Sequence, residues 1–193
     1  MSLAGIDYSM TCPCVCIASP QKDGDPFSID ICKFMYVTAQ KKYVGSFLGG
    51  KITGFFFDPE VEAESDQERY DILSDFFIGF LDENNVKEVA IEDYAFAAKG
   101  KVFHIGENTG LLKYKMWATD MIVHKYAPTQ VKKFATKSGN AKKEQMYEAF
   151  RAETNIDLAR ALKYEKAKID SPIGDIVDAY FIAKCHYYLG HNP

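Results

Sequence analysis

Four carboxylates stand where a charge is hard to accommodate. Asp7 ends the apolar run Leu3-Ala4-Gly5-Ile6, and Glu92 ends Val89-Ala90-Ile91 in the same way. A charge at the end of an apolar strand is costly unless it faces a site. Asp175 and Asp178 are three residues apart in a segment with helical spacing, so they project from one face. Like charges on one face repel, and a cation between them removes the repulsion. A set of oxygens with no His or Cys suits a hard cation such as Mg²⁺ or Mn²⁺ better than zinc. Two such ions ~3.5–4 Å apart activate a water and stabilise the leaving oxygen of a phosphodiester. Each acid also has a plainer reading. Asp7 and Glu92 can be salt-bridged strand ends, and Asp175 can be a helix N-cap.

The lysines are segregated from the acids. The 193 residues carry a formal net charge of −4, which as a sum argues against a polyanionic partner. Between residues 99 and 143, however, ten lysines face only Glu107 and Asp120. They are Lys99, Lys101, Lys113, Lys115, Lys125, Lys132, Lys133, Lys137, Lys142 and Lys143. Residues 57 to 93 hold thirteen acids against Arg69 and Lys87. A basic block of this kind points to a polyanionic partner, and its plain alternative is a solvated face.

The elements that must position these groups follow from periodicity. The first seventeen residues read as strand, with Cys12, Cys14 and Cys16 alternating at period two as on a half-buried strand. Phe27 to Thr38 and Lys51 to Phe57 read as two more strands, completing an antiparallel meander of three. Tyr70, Leu73, Phe76, Phe77, Phe80 and Leu81 fall on one helical stripe, with that helix's acids on the solvated side. Lys87 to Asp93 is a fourth strand, and Ile105 to Thr119 a helix. Met121 to Tyr126 is a fifth strand, stopped at Ala127-Pro128. Lys142 to Thr154 and Asp175 to Tyr188 are helices. The pattern predicts an α/β fold with a five-stranded mixed sheet, three antiparallel strands then two parallel, flanked by helices. Length and 47% hydrophobic content predict one domain over residues 1–193.

Taken in order, the motifs resemble the RuvC-type Holliday junction resolvases of the RNase H-like nuclease superfamily. The resemblance runs through Ala4-Gly5-Ile6-Asp7, Val89-Ala90-Ile91-Glu92, and Tyr126-Ala127-Pro128 with Val131-Lys132-Lys133. It continues through Ser138 to Gln145 and closes with Asp175-Ile176-Val177-Asp178-Ala179 and Cys185-His186. It implies an RNase H-like fold and a structure-selective endodeoxyribonuclease working as a homodimer on four-way or other branched DNA. Asp7, Glu92, Asp175 and Asp178 would be catalytic and would hold two Mg²⁺ ions, with Mn²⁺ as a substitute. Lys132 and Lys143 match positions where the family places phosphate-contacting lysines, with Lys133 and Lys142 one residue away. Lys137, Lys99 and Lys101 extend the DNA-binding set. The chain departs from the family at Tyr8-Ser9-Met10-Thr11-Cys12, where Pro-Gly is usual, and in a long region from 18 to 57. Both departures look more like phage or viral members.

Among the aromatics after Glu92 (Tyr94, Phe96 and Phe103), Phe96 is the first candidate to stack on an opened base, with a core or dimer contact as the alternative. The five cysteines lack zinc spacing and read as buried reduced thiols. His186 reads as a packed helix histidine or an accessory acid–base group, whereas His104, His124 and His191 suggest no cluster. Leu111, Tyr114 and Trp117 look like helix packing, with a dimer seam as the alternative. No signal-like start or membrane span is apparent, so a cytoplasmic protein is expected, in a bacterium or a phage-infected host, with no membrane partner. No nucleotide cofactor is expected either. The rival readings are a non-catalytic branched-DNA binder and an actin-like or sugar-kinase-like ATPase. The second lacks Gly-rich phosphate loops and sufficient length.

Overall fold

The computed structural model describes residues 2–22, 24–58, 62–93 and 102–190. Five strands come first: β1 (Ser2–Asp7), β2 (Cys14–Ala18), β3 (Cys32–Thr38), β4 (Gly45–Phe47) and β5 (Ile52–Phe56). Helix α1 (Asp66–Glu83), strand β6 (Val86–Glu92), helix α2 (Val102–Ala118) and strand β7 (Ile122–Tyr126) follow. Four helices close the chain: α3 (Pro128–Thr136), α4 (Lys143–Thr154), α5 (Leu158–Ala161) and α6 (Ile173–Leu189).

The strands form one mixed sheet in the order β4-β5-β3-β2-β1-β6-β7. β1, β2 and β3 are antiparallel neighbours, while β6 runs parallel to both β1 and β7. The sheet has seven strands where the periodicity predicts five, for two local reasons. The first seventeen residues split in two because the segment after Asp7 turns, and the Cys12 N–H donates to Ser9 Oγ at 3.0 Å. The third expected strand, Lys51 to Phe57, lies parallel to β3, and the additional strand β4 pairs with it at the edge. Three residues are too few to show a period.

Alternation along the central strands serves two covered faces. Cys14, Cys16, Phe34 and Tyr36 pack against Ala179, Tyr180 and Ala183 of α6. Val15, Ile17, Met35 and Val37 face the opposite way, onto Leu73, Phe77 and Leu81 of α1 and Leu112 and Met116 of α2. β2 is therefore buried throughout, against the half-buried strand expected from its cysteines. All five thiols are free and buried.

The other helices follow local rules. Ser65 caps α1 by accepting the Glu68 N–H at 3.1 Å. Helix α3 escapes the period reading because Pro128 looks like a strand stop, yet a proline is well suited to the first helical turn. On α1 the expected stripe narrows: Tyr70, Leu73, Phe77 and Leu81 are buried, while Phe76 stays exposed against Phe55.

The close approach of α6 to β1 sets the position of everything at the sheet's carboxyl end. A Cβ on Gly5 would run into the Ala183 backbone nitrogen and stand 2.5 Å from the Ala179 carbonyl oxygen. Only a residue without a side chain permits this contact. Gly5→Ala is expected to lower unfolding free energy by at least about 2 kcal/mol in urea titration. Gly79→Ala, on α1 with open space around it, is expected to cost nothing or to stabilise by up to ~1 kcal/mol.

Candidate active site

β1 and β6 are adjacent parallel strands in which Ile6 pairs with Ile91, so Asp7 and Glu92 stand side by side at their carboxyl ends. Open α/β sheets characteristically bind ligands at that end. The start of α6 lies over it, because Gly5 lets the helix sit low on β1. Asp175 is the third residue of α6 and the helix cap is Pro172, so the N-cap reading of Asp175 is incorrect. Asp178 follows one turn later on the same face. Elements distant in sequence thus bring all four predicted acids together.

Their electrostatics show how tightly they are gathered. Burial raises the pKa of Asp7 well above the usual carboxylate value, and Asp175, Asp178 and Glu92 raise it further. Asp178 is pushed up to about 7, first by burial and then by Glu92 and Asp175. Burial also raises Glu92 and Asp175. Among the described residues two lysines supply the opposing charge. Lys143 favours the charged forms of Asp7, Asp175 and Asp178, and Lys132 those of Glu92 and Asp178.

Each lysine has an identifiable placement. Lys132 lies on the half-buried side of α3, while its neighbour Lys133 is exposed. Lys143 begins α4 and is held by Asp170 at 3.2 Å, with its stem about 3.4 Å from where a Gly174 Cβ would be. Lys142 and Lys137 are exposed at the start of α4 and the end of α3. Lys115 is employed differently from the rest of the block: it bridges Asp71 and Asp75 of α1 at 2.6 Å each. The acidic side of α1 is thus partly neutralised from within.

The residues present fit a cation. Asp175 is buried, and its Oδ2 has no hydrogen-bond partner. Ser171 and the Cys12 thiol lean on the same carboxylate and favour its charged form, and burial, then Asp175, raises the Cys12 pKa. These two neighbours and Asp170 carry no sequence signal, since their role comes only from tertiary proximity.

Other sequence expectations meet mixed outcomes. Phe96, Lys99, Lys101, Tyr94 and His191 lie outside the described residues. Phe103 is exposed. Tyr114 and Trp117 are 61% and 70% exposed and touch each other, so they do not pack inside this chain; Leu112 fills that role. His186 is wholly buried, far along α6 from Asp178. The absence of a histidine cluster is not upheld. His124 stacks on His186 with ring centroids 4.3 Å apart, and His186 Nε2 lies 3.1 Å from Glu88. His104 meets Tyr70 at 3.2 Å and Asp66 at 3.4 Å.

Comparison with known proteins places this arrangement. Residues 59–186, about two thirds of the chain, match the family described as crossover junction endodeoxyribonuclease RuvC. The chain belongs to the RuvC family. RuvC proteins from two Helicobacter pylori strains, G27 and P12, are each 36% identical over 107 residues. The match covers 55% of this chain and spans 61% of the length of those relatives. Among solved structures, Thermus thermophilus RuvC superposes with a TM-score of 0.60 at 20% identity, covering 97% of this chain and 95% of that one. The same protein bound to a Holliday junction substrate gives 0.64 at 18% identity, covering 98% and 94%. The yeast mitochondrial Holliday junction resolvase Ydc2 gives 0.54 at 15%, covering 96% and 77%. The shared RNase H-like fold is what these structures establish.

The acid cluster makes a signed prediction. The folded pKa of Asp178, about 7, lies above its ordinary 3.8, so the folded state holds this proton where the unfolded state has lost it. In EDTA the protein is expected to lose stability as pH rises from about 4 to about 7. Asp178→Asn should flatten that decline, and millimolar Mg²⁺ should reverse it in the wild type. Urea midpoints across this pH range test both.

Proposed function

We propose that this chain is a structure-selective endodeoxyribonuclease that hydrolyses phosphodiester bonds at four-way or other branched DNA junctions. One observation carries the reading: four mutually destabilised carboxylates meet at the carboxyl ends of β1 and β6 beneath the start of α6, with Lys132 and Lys143 at their edge. RuvC family membership supports it. A bare DNA binder has no need to gather four acids where phosphates must approach. Their net repulsion of DNA is offset only when cations are held between them.

Asp7, Glu92, Asp175 and Asp178 would hold two divalent ions, Mg²⁺ with Mn²⁺ as substitute. The ions would neutralise charge on the scissile phosphate and lower the pKa of the attacking water. The protein's own groups do the rest. Asp7 and Glu92 are fixed by paired strands, so the ligand geometry is set before DNA arrives. Asp175 sits in the first turn of α6, where the helix dipole favours its charge. Lys143 and Lys132 would contact phosphates flanking the cut, and Asp170 keeps Lys143 in place. Lys133, Lys137 and Lys142 would extend that contact along α3 and α4.

The exposed Tyr114–Trp117 pair on α2 is the natural place for a second copy, and we read the working unit as a homodimer with one cut per subunit. The reading places the enzyme in the cytoplasm. Among the described residues no helix is long and apolar enough to cross a membrane.

A nicking assay on labelled four-way, Y-shaped and linear DNA, with EDTA, Mg²⁺ or Mn²⁺, tests the proposal. Cleavage of branched substrates only, and only with a divalent ion, is expected. Asp7→Asn should keep junction binding and lower the cleavage rate by at least ~10³-fold. Near wild-type cleavage by that variant would overturn the site assignment. Lys143→Ala should weaken binding and reduce the salt slope by about 0.9 if it neutralises one phosphate.

A further inference from the structure

The face of the sheet that carries the acids holds a second constellation, well separated from them. Glu88 lies four residues before Glu92 on β6, and His186 lies eight residues beyond Asp178 on α6. At ~3.3 Å per strand residue and 1.5 Å per helix residue, both spacings are about 12–13 Å. His124 completes the group from β7: it pairs with Ala90, two positions along from Glu88 and so on the same face.

We propose that Glu88, His124 and His186 form a binding site for a zinc-like divalent transition-metal ion, distinct from the acid cluster. One ligand atom from each residue comes within 4.8 Å of the others. Tetrahedral ligands at ~2.1 Å from a metal are about 3.4 Å apart. The pairs here bracket that value: His186 Nε2 to Glu88 Oε2 is 3.1 Å, and His124 Nε2 to the same oxygen is 4.0 Å. His124 Nε2 is buried without a hydrogen-bond partner, although a buried ring nitrogen normally has one. A metal ion supplies that partner.

The ring behind the site is already oriented. Tyr126 Oη lies 2.9 Å from His186 Nδ1. That hydroxyl can accept a hydrogen bond from Nδ1–H, which turns the Nε2 lone pair toward the site, the kind of outer contact that orients a metal-bound histidine. Two imidazoles and one carboxylate select a borderline cation such as Zn²⁺ or Co²⁺, whereas four carboxylates select Mg²⁺. His124, on the edge strand β7, is one-third exposed, and Glu88, on β6, about one-quarter, so an ion can enter and a water can take the fourth position. An ion here would join the last turns of α6 to β6 and β7. It would thereby fix the helix whose first turns carry Asp175 and Asp178.

The test does not depend on nuclease activity. Metal-stripped protein is titrated with Co²⁺ in the presence of millimolar Mg²⁺. The expected result is one equivalent of tight binding with the intense visible absorption of four-coordinate Co²⁺. Zn²⁺ should abolish the signal, and it should raise the thermal midpoint by roughly 5–10 °C at a hundredfold excess over the dissociation constant. His124→Asn, at a partly exposed position that tolerates substitution, should weaken binding at least ~100-fold, and Glu88→Gln likewise. Asp7→Asn should leave it unchanged. The proposal is overturned if the wild type gives no such absorption, if His124→Asn titrates like the wild type, or if Asp7→Asn removes the signal.

Discussion

Four carboxyl groups are confined at one end of a sheet where water cannot fully screen their charge. Asp7 and Glu92 are fixed side by side by parallel pairing, and α6 lowers Asp175 and Asp178 onto them. The cost appears as carboxyl pKa values raised by burial and mutual repulsion, with Asp178 near neutrality. Lys143 and Lys132 offset part of it. The remainder is what the proposed cations would offset.

The scaffold can be understood as the means of enforcing that confinement. Gly5 lets α6 approach β1 at backbone distance, so the start of the helix reaches the strand ends. The thiol face of β2 fills the space beneath α6, and α1 with α2 covers the opposite face. Lys115 ties α2 to α1 through Asp71 and Asp75, which prevents that lysine from adding to a DNA-facing surface. Net charge alone is therefore a poor guide to partners for this chain. The placement of each charge matters more, and placement is set by tertiary contacts.

Much of this was readable from residue order. Apolar runs ending on Asp7 and Glu92 announce strand ends, and the Asp175–Asp178 spacing announces one helix face. Both signals are local, so they survive without coordinates. What escaped was non-local or very short. β4 has three residues, β5 reverses its expected partner direction, and α3 opens on a proline that equally marks a strand's end. Cys12, Ser171 and Asp170 have ordinary surroundings in sequence and gain meaning only against Asp175 and Lys143. Glu88, His124 and His186 lie 36 and 62 residues apart, and no spacing rule joins them.

The central claim is that Asp7, Glu92, Asp175 and Asp178 act as one cation-binding unit. Calorimetric titration of Mn²⁺ into the wild type and into each single Asn or Gln variant addresses it directly. The account predicts that every one of the four substitutions weakens binding at the same site. Full wild-type affinity and stoichiometry in any one of them would contradict it.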